Sequence, residues 1–188
     1  IMPPDRESDL IRHAAAGDTR AFRELVENHQ QFAYAVAFRF TGHRDDAKDV
    51  AQEAFVKLWK NLNRYRDTVK LSTWLYTIIM NQAFDHLKSP HRRASSRMEE
   101  VQDQTILSDG GEHERLELLE TISRLSATLT PKQQSVFVLR DLEGLEADEV
   151  SAITGQDAAQ IKSNLYYARL AMREKLERFY QESKTTPT

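Results

Sequence analysis

Between residues 160 and 173 the chain gathers Gln160, Lys162, Ser163, Asn164, Tyr166, Tyr167, Arg169 and Arg173. Amides and hydroxyls donate and accept hydrogen bonds, and cations pair with phosphates. Spaced along one helix, these residue types suit the reading of base edges in a DNA major groove. A second set is acidic: Asp45, Asp46, Asp49 and Glu53, with Gln52 among them. Such a face is either solvated or a docking surface. A third set begins in the loop Asn63 to Leu71, which holds Tyr65 and the cations Arg64, Arg66 and Lys70. The loop leads into a segment carrying Asn81 and Asp85, four apart and so on one helical face. His91, Arg92 and Arg93 follow it. A basic loop and helix of this kind can hold single-stranded DNA, with cations along the backbone and pockets for unstacked bases.

Bond-making chemistry has no comparable signature. His13, His29, His43, His86, His91 and His113 show no metal-ligand spacing, and there is no glycine-rich phosphate loop or nucleophile elbow. Asn81 and Asp85 lack a histidine or lysine at a matching position to form an acid-base dyad. No catalytic residue, metal or cofactor is therefore predicted. The absence of cysteine excludes a disulfide scaffold, a thiolate metal site and a cysteine nucleophile, and it fits a reducing cytosol. No 18-residue apolar run exists, and Ile1 to Asp5 lack the pattern of a secretory signal. The expected location is cytoplasmic, without direct membrane contact.

The elements that position these residues are helical. Gly17, Gly42, Pro90, Gly110-Gly111, Pro131, Gly144 and Gly155 punctuate apolar patterns of helical period. They predict helices at 8–16, 19–40, 45–62, 72–89, 113–128, 131–142, 146–154 and 158–181. No stretch alternates as a strand would, so the predicted fold is all-α. The net charge of −3 argues against general attraction to nucleic acid, but its distribution is uneven. Lys88 to Arg97 holds four cations and no acid, whereas Glu99 to Glu120 holds eight acids and one cation. With its Gly-Gly pair and few large apolar residues, 90–112 reads as a flexible linker between two small helical domains, each with a modest core.

In the first domain Val50, Ala54, Phe55, Leu58 and Trp59 mark one buried face, and Trp74, Leu75, Ile78, Ile79 and Leu87 another. Ser72 is the expected N-cap of the second of these helices. In the second domain Thr130 caps a helix opened by Pro131 and carrying Val136, Phe137, Val138, Leu139 and Leu142. Glu143-Gly144 ends it. A short helix burying Val150 and Ile153 is closed by Gly155. Asp157 caps the last helix, where Leu165, Ala168 and Met172 should face the core. One of the adjacent Tyr166 and Tyr167 should pack inward. Two helices, a glycine turn and a polar second helix form a helix-turn-helix.

The run Asp46-Ala47-Lys48-Asp49-Val50-Ala51-Gln52-Glu53-Ala54-Phe55, then Ser72-Thr73-Trp74-Leu75-Tyr76, then Asn81 with Asp85-His86-Leu87, resembles region 2 of bacterial extracytoplasmic-function sigma factors. Glu143-Gly144-Leu145, Glu149-Val150 and Ile161-Lys162-Ser163 resemble their region 4. The resemblance implies a region 2 at 5–92, a linker at 93–112 and a region 4 at 113–183. It implies a promoter-specificity subunit, without catalysis of its own, that directs core RNA polymerase and helps open the −10 element. Asp46, Asp49, Gln52 and Glu53 fall on the motif that binds the β′ clamp helices. Tyr65, Arg66, Lys70, Leu71, Ser72, Asn81, Lys88, Arg92 and Arg93 fall on the segments that read and melt the −10 element. Gln160, Lys162, Ser163, Asn164, Tyr167 and Arg169 fall on the −35 reader. Region 4 also meets the β flap in that family. Most relatives are held by an anti-sigma factor, often membrane-tethered, and the free protein is expected to be a monomer.

The chain departs from the family pattern. Lys48 stands where an acid is common, and Asn164 where an arginine is. Since arginine favours guanine and amides favour adenine, promoter sequence does not transfer. Glu146 stands where a serine or threonine often begins the short helix. The alternative reading is a helix-turn-helix regulator that binds duplex DNA without joining polymerase. Residues 130–180 fit it nearly as well, but it has no use for the acidic helix and basic loop at 45–93.

Overall fold

The computed structural model describes residues 4–66, 68–89 and 112–185. Arg92, Arg93 and nearly all of the expected linker lie outside them. Among the described residues every regular element is helical. Helix α1 (Pro4–Ala15) precedes α2 (Thr19–Thr41), α3 (Arg44–Asn61), a short 3-10 turn (Leu62–Arg64) and α4 (Leu71–Lys88). The second unit holds α5 (Glu112–Ser126), α6 (Pro131–Phe137), α7 (Ala147–Thr154) and α8 (Ala158–Thr185).

Local chemistry sets most boundaries. Asp18 Oδ1 accepts from the backbone N–H of Arg20 at 2.8 Å and of Ala21 at 3.3 Å, which satisfies two free donors at the start of α2. These bonds hold its carboxyl below the usual aspartate range. Thr130 caps α6 through the N–H of Gln133, with Pro131 at the first helical position. Glu146 is the N-cap of α7, and its N–H donates to Glu149 Oε2 at 3.0 Å, so a glutamate serves where the family pattern has a hydroxyl. Gly155 ends α7 with a left-handed φ of 69°. Helix α4 departs from expectation. It begins at Leu71, after Lys70, with no side-chain cap, and Ser72 already lies inside it.

The helix expected over 131–142 is not uniform. Val138–Leu142 form a π turn, closed by the Glu143 N–H donating to the Val138 carbonyl at 2.9 Å. The wider turn rotates whatever follows it relative to an α-helix, and Glu143 is the next residue.

The larger correction concerns the core. Two separate small cores were expected. Instead Val136, Val138, Leu139, Val150, Ile153 and Ile161 of the second unit join the cluster built by α1–α4 around Leu25, Phe40, Leu58, Leu75 and Ile79. A smaller cluster of Leu129, Phe137, Ala168 and Met172 belongs to the second unit alone. Polar bonds cross the same junction. Gln134 Nε2 donates to the Phe40 carbonyl at 2.7 Å, satisfying an acceptor left free in the last turn of α2. Glu143 accepts from Arg39 Nη1 at 2.6 Å and from the Tyr76 hydroxyl at 2.9 Å. Its side chain is only 9% exposed, a burial that its two donors offset. Burial pushes the Tyr76 phenol above the ordinary tyrosine range, and the neighbouring Glu143 charge adds to the shift.

Candidate nucleic-acid interface

The last helix presents two faces. Ile161, Ala168 and Met172 are buried, and Leu165 packs partly against the core, as its spacing predicted. Lys162 and Ser163 are exposed on the other side. The expectation that one of Tyr166 and Tyr167 packs inward is corrected: they are 65% and 54% exposed. Their backbone positions point both rings outward from the core stripe, and the rings meet edge to face at 5.3 Å.

Three other residues expected to read DNA are already engaged. The backbone N–H of Asp157 donates to Gln160 Oε1 at 3.0 Å, and the N–H of Gln160 donates to Asp157 Oδ1 at 2.8 Å, so Gln160 completes the cap of α8. Asn164 Nδ2 donates to Gln156 Oε1 at 2.6 Å, and the buried Gln156 in turn donates to Ser135 Oγ at 3.1 Å. Asn164 thereby ties α8 to α6. Arg169 makes a two-pronged pair with Asp141 at 2.7 and 2.8 Å. Sequence spacing alone did not reveal Asp141 or Gln156 as their partners.

In the first unit, Asp49, Gln52 and Glu53 lie exposed along α3, with Lys57 beyond them. Asp46 is placed differently. Its side chain is 16% exposed, and Oδ1 lies 2.8 Å from His86 Nε2 on α4, so it braces two helices. Lys57 donates to Gln82 and lies 3.8 Å from Asp85 Oδ2. Asn81 is exposed beside them, which places it outside the core scaffold.

The loop before α4 is shaped by Tyr65, whose hydroxyl donates to the Val69 carbonyl at 2.5 Å and whose ring lies 5.3 Å from that of Trp74. Arg66, Lys70 and Lys88 are exposed, and Ser72 is half-buried. Leu71 is corrected. At 1% exposure it is part of the core, because the helix starts at this position and turns its side chain inward. From there it anchors the loop to the core.

A groove of about 580 Å³ opens on the second unit between Ile122, Phe137 and Leu142 on one side and Met172, Leu176 and Tyr180 on the other. Among the described residues no group of histidines and acids could hold a metal ion, and no helix is long and apolar enough to cross a membrane.

These features define a helical protein in which a helix-turn-helix is packed on a second bundle with its own acidic and basic surfaces. The sequence matches the family description Sigma-70 region 2 over residues 25–93 and Sigma-70, region 4 over 119–172. The chain belongs to the sigma-70 family, in its extracytoplasmic-function group. It is a promoter-specific transcription initiation factor that works with RNA polymerase. It is similar to the RNA polymerase sigma-H factor of Pseudomonas aeruginosa, with 26% identity over 97% of this chain and 100% of that protein. It is also similar to the sigma factor SigW of Bacillus subtilis, with 29% identity over 88% of this chain and 94% of that protein. Its fold is similar to that of CnrH in complex with the cytosolic domain of CnrY, with a TM-score of 0.63, 22% identity and coverage of 92% of this chain and 98% of that one. The sigma factor RpoE of Bartonella quintana, in complex with the anti-sigma factor NepR, gives a TM-score of 0.61 at 21% identity, covering 85% of this chain and 98% of that one.

Proposed function

We propose that this chain docks on core polymerase through α3, reads and opens the −10 element with α4 and its preceding loop, and reads the −35 duplex with α8. The observation that carries the reading is the exposure of Asp49, Gln52 and Glu53 on one helix and of Asn81, Arg66 and Lys70 nearby, beside a complete helix-turn-helix. The first three face the β′ clamp helices; Asp46 supports them by fixing α3 against α4. Tyr65, Ser72 and Lys88, with Arg92 and Arg93, extend the −10 surface. Lys162, Ser163 and Tyr167 meet the −35 duplex, while Gln160, Asn164 and Arg169 hold the helix in place until DNA competes for them. The β flap meets the second unit. The protein works in the cytoplasm, is a monomer when free and has no catalysis of its own. Polymerase makes the RNA, and this chain supplies address and strand opening.

The mechanism follows from position. Phosphate contacts set register, and base contacts specify. Unpairing costs stacking and pairing energy, which captured unstacked bases offset. The −10 and −35 elements are about 25 base pairs apart, roughly 85 Å of straight duplex. Units that share one core cannot reach both, so the arrangement described here opens before promoter engagement. A chain of some 20 residues, such as 93–112, spans at most roughly 70 Å, which with the widths of the two units covers the separation. Polymerase then holds the units at the right spacing and raises the effective concentration of the second at its site. An anti-sigma factor does the reverse by holding both units on one partner.

The experiment is transcription by purified core polymerase with and without this chain, on a library of promoters. Promoter-dependent transcripts that require the chain are expected. Duplex binding without any transcript would favour the regulator reading.

A further inference from the structure

Tyr166, Tyr167 and Leu170 are 65%, 54% and 46% exposed, and all three lie on the face of α8 opposite buried Ile161, Ala168 and Met172. Tyr166 and Leu170 are one helical turn apart, and so share a stripe. Large apolar side chains clustered on an exposed face mark an interaction surface. Their setting identifies the partner. From Ala158 to Arg173 the helix carries Lys162, Arg169 and Arg173 and no acid. This is the charge complement of a phosphate-lined groove, with the apolar stripe at its centre and Lys162 beside it. In the major groove the one apolar feature that varies between base pairs is the C5-methyl of thymine.

We propose that Tyr166 and Leu170 read thymine methyl groups in the −35 duplex, with Tyr167 holding the Tyr166 ring in place. The edge-to-face contact at 5.3 Å favours one orientation of the Tyr166 ring before DNA arrives. A ring ordered in advance loses little freedom on binding. The engagement of Gln160, Asn164 and Arg169 within the protein leaves this stripe, with Lys162 and Ser163, as the open part of the helix. The inference rests on the assignment of α8 to the −35 element. It adds that recognition there has an apolar component selective for thymine.

The test uses holoenzyme and a promoter selected by it from a −35 library. Each −35 thymine is replaced in turn by deoxyuridine, which keeps every hydrogen-bonding edge and lacks only the methyl. Losing one buried methyl should weaken binding roughly fourfold at each contacted position. Tyr166→Ser should erase the thymine–uracil difference at the position its ring contacts and leave the one read by Leu170, whereas Tyr166→Phe should keep both, since the hydroxyl is not the reader. Circular dichroism checks that both variants fold, as exposure of the side chain predicts. A selected −35 element without thymine overturns the proposal, as does a thymine preference undiminished in Tyr166→Ser. Weaker capture of core polymerase by Tyr166→Ser with an unchanged thymine preference also overturns it, and assigns the stripe to a protein partner. Indifference of the wild-type holoenzyme to the whole −35 sequence would instead sink the assignment of α8 itself.

Discussion

The hydroxyl of Tyr76 donates to Glu143 Oε2 at 2.9 Å across the junction between α4 and the end of the π turn. The other carboxylate oxygen accepts from Arg39 at 2.6 Å, so one acid joins α2 and α4 of the first unit to the helix-turn-helix of the second. Removing one partner of a buried pair leaves the other charge uncompensated, at roughly 3 kcal/mol. Glu143→Ala should therefore loosen the junction while each unit keeps its helices. Small-angle scattering should show a larger radius of gyration with unchanged circular dichroism. An unaltered scattering curve would mean that the shared apolar core alone holds the units together.

Acid should fray the start of α2. The folded Asp18 carboxyl titrates below the ordinary aspartate range because backbone N–H groups of Arg20 and Ala21 donate to it. Its contribution is thus fully present above the ordinary carboxylate pKa of about 3.9 and is lost as pH falls through the lower folded value. Amide exchange at Arg20 and Ala21 should accelerate over that window in the wild type. Asp18→Asn, which keeps a capping oxygen without the titration, should show no such step.

Reversing two exposed charges on α3, in Asp49→Lys with Glu53→Lys, should weaken capture by core polymerase at least tenfold, since facing like charges cost several kcal/mol. Neither side chain is buried, so the melting temperature should stay close to that of the wild type. Co-purification with core at moderate salt reads the outcome. Equal capture of both proteins would remove this face from the docking surface.

Asn81→Ala should impair strand opening more than initial promoter binding. The exposed position of Asn81 on α4 leaves the core intact on truncation. Permanganate reactivity of unpaired thymines reports opening, and a footprint reports binding. Parallel loss of both signals would make Asn81 a duplex contact.

Leu71→Ala should act through stability instead. Leu71 is buried in the core at the first turn of α4, and truncating such a leucine costs roughly 2–5 kcal/mol. Denaturant unfolding should show the loss, while the order of promoter preference stays as in the wild type. A changed preference in a fully stable variant would return Leu71 to the DNA surface.

Much of this molecule was legible because its signals are local. Thr130 with Pro131, Gly155 and Asp157 set helix ends through bonds a few residues away. The helical spacing of Leu165, Ala168 and Met172 gave the inner face of α8, which Ile161 extends. Misreadings fell where partners are distant. Arg39 and Glu143 are 104 residues apart and no local pattern links them, yet they meet. Asp46 shares a helix and a sign with Asp49, and only the approach of His86 from α4 separates their roles. Leu71 was placed with the loop because a polar run precedes it, whereas the helix already begins there. Exposure of both tyrosines could not be read from their adjacency, since a wide outward face accommodates two neighbouring rings.

Gly42 ends α2 with a φ of 69°, and a β-carbon built there would stand 2.5 Å from the backbone nitrogen of Arg124 on α5. The obstacle is main chain, so it has no side-chain rotamer by which to yield. One missing methyl therefore acts as a clearance that lets α2 and α5 close on each other. Any other residue at this site would push α5 off the end of α2 and loosen the junction between the two units. The closeness of the two units is in this sense set by an atom that the chain leaves out.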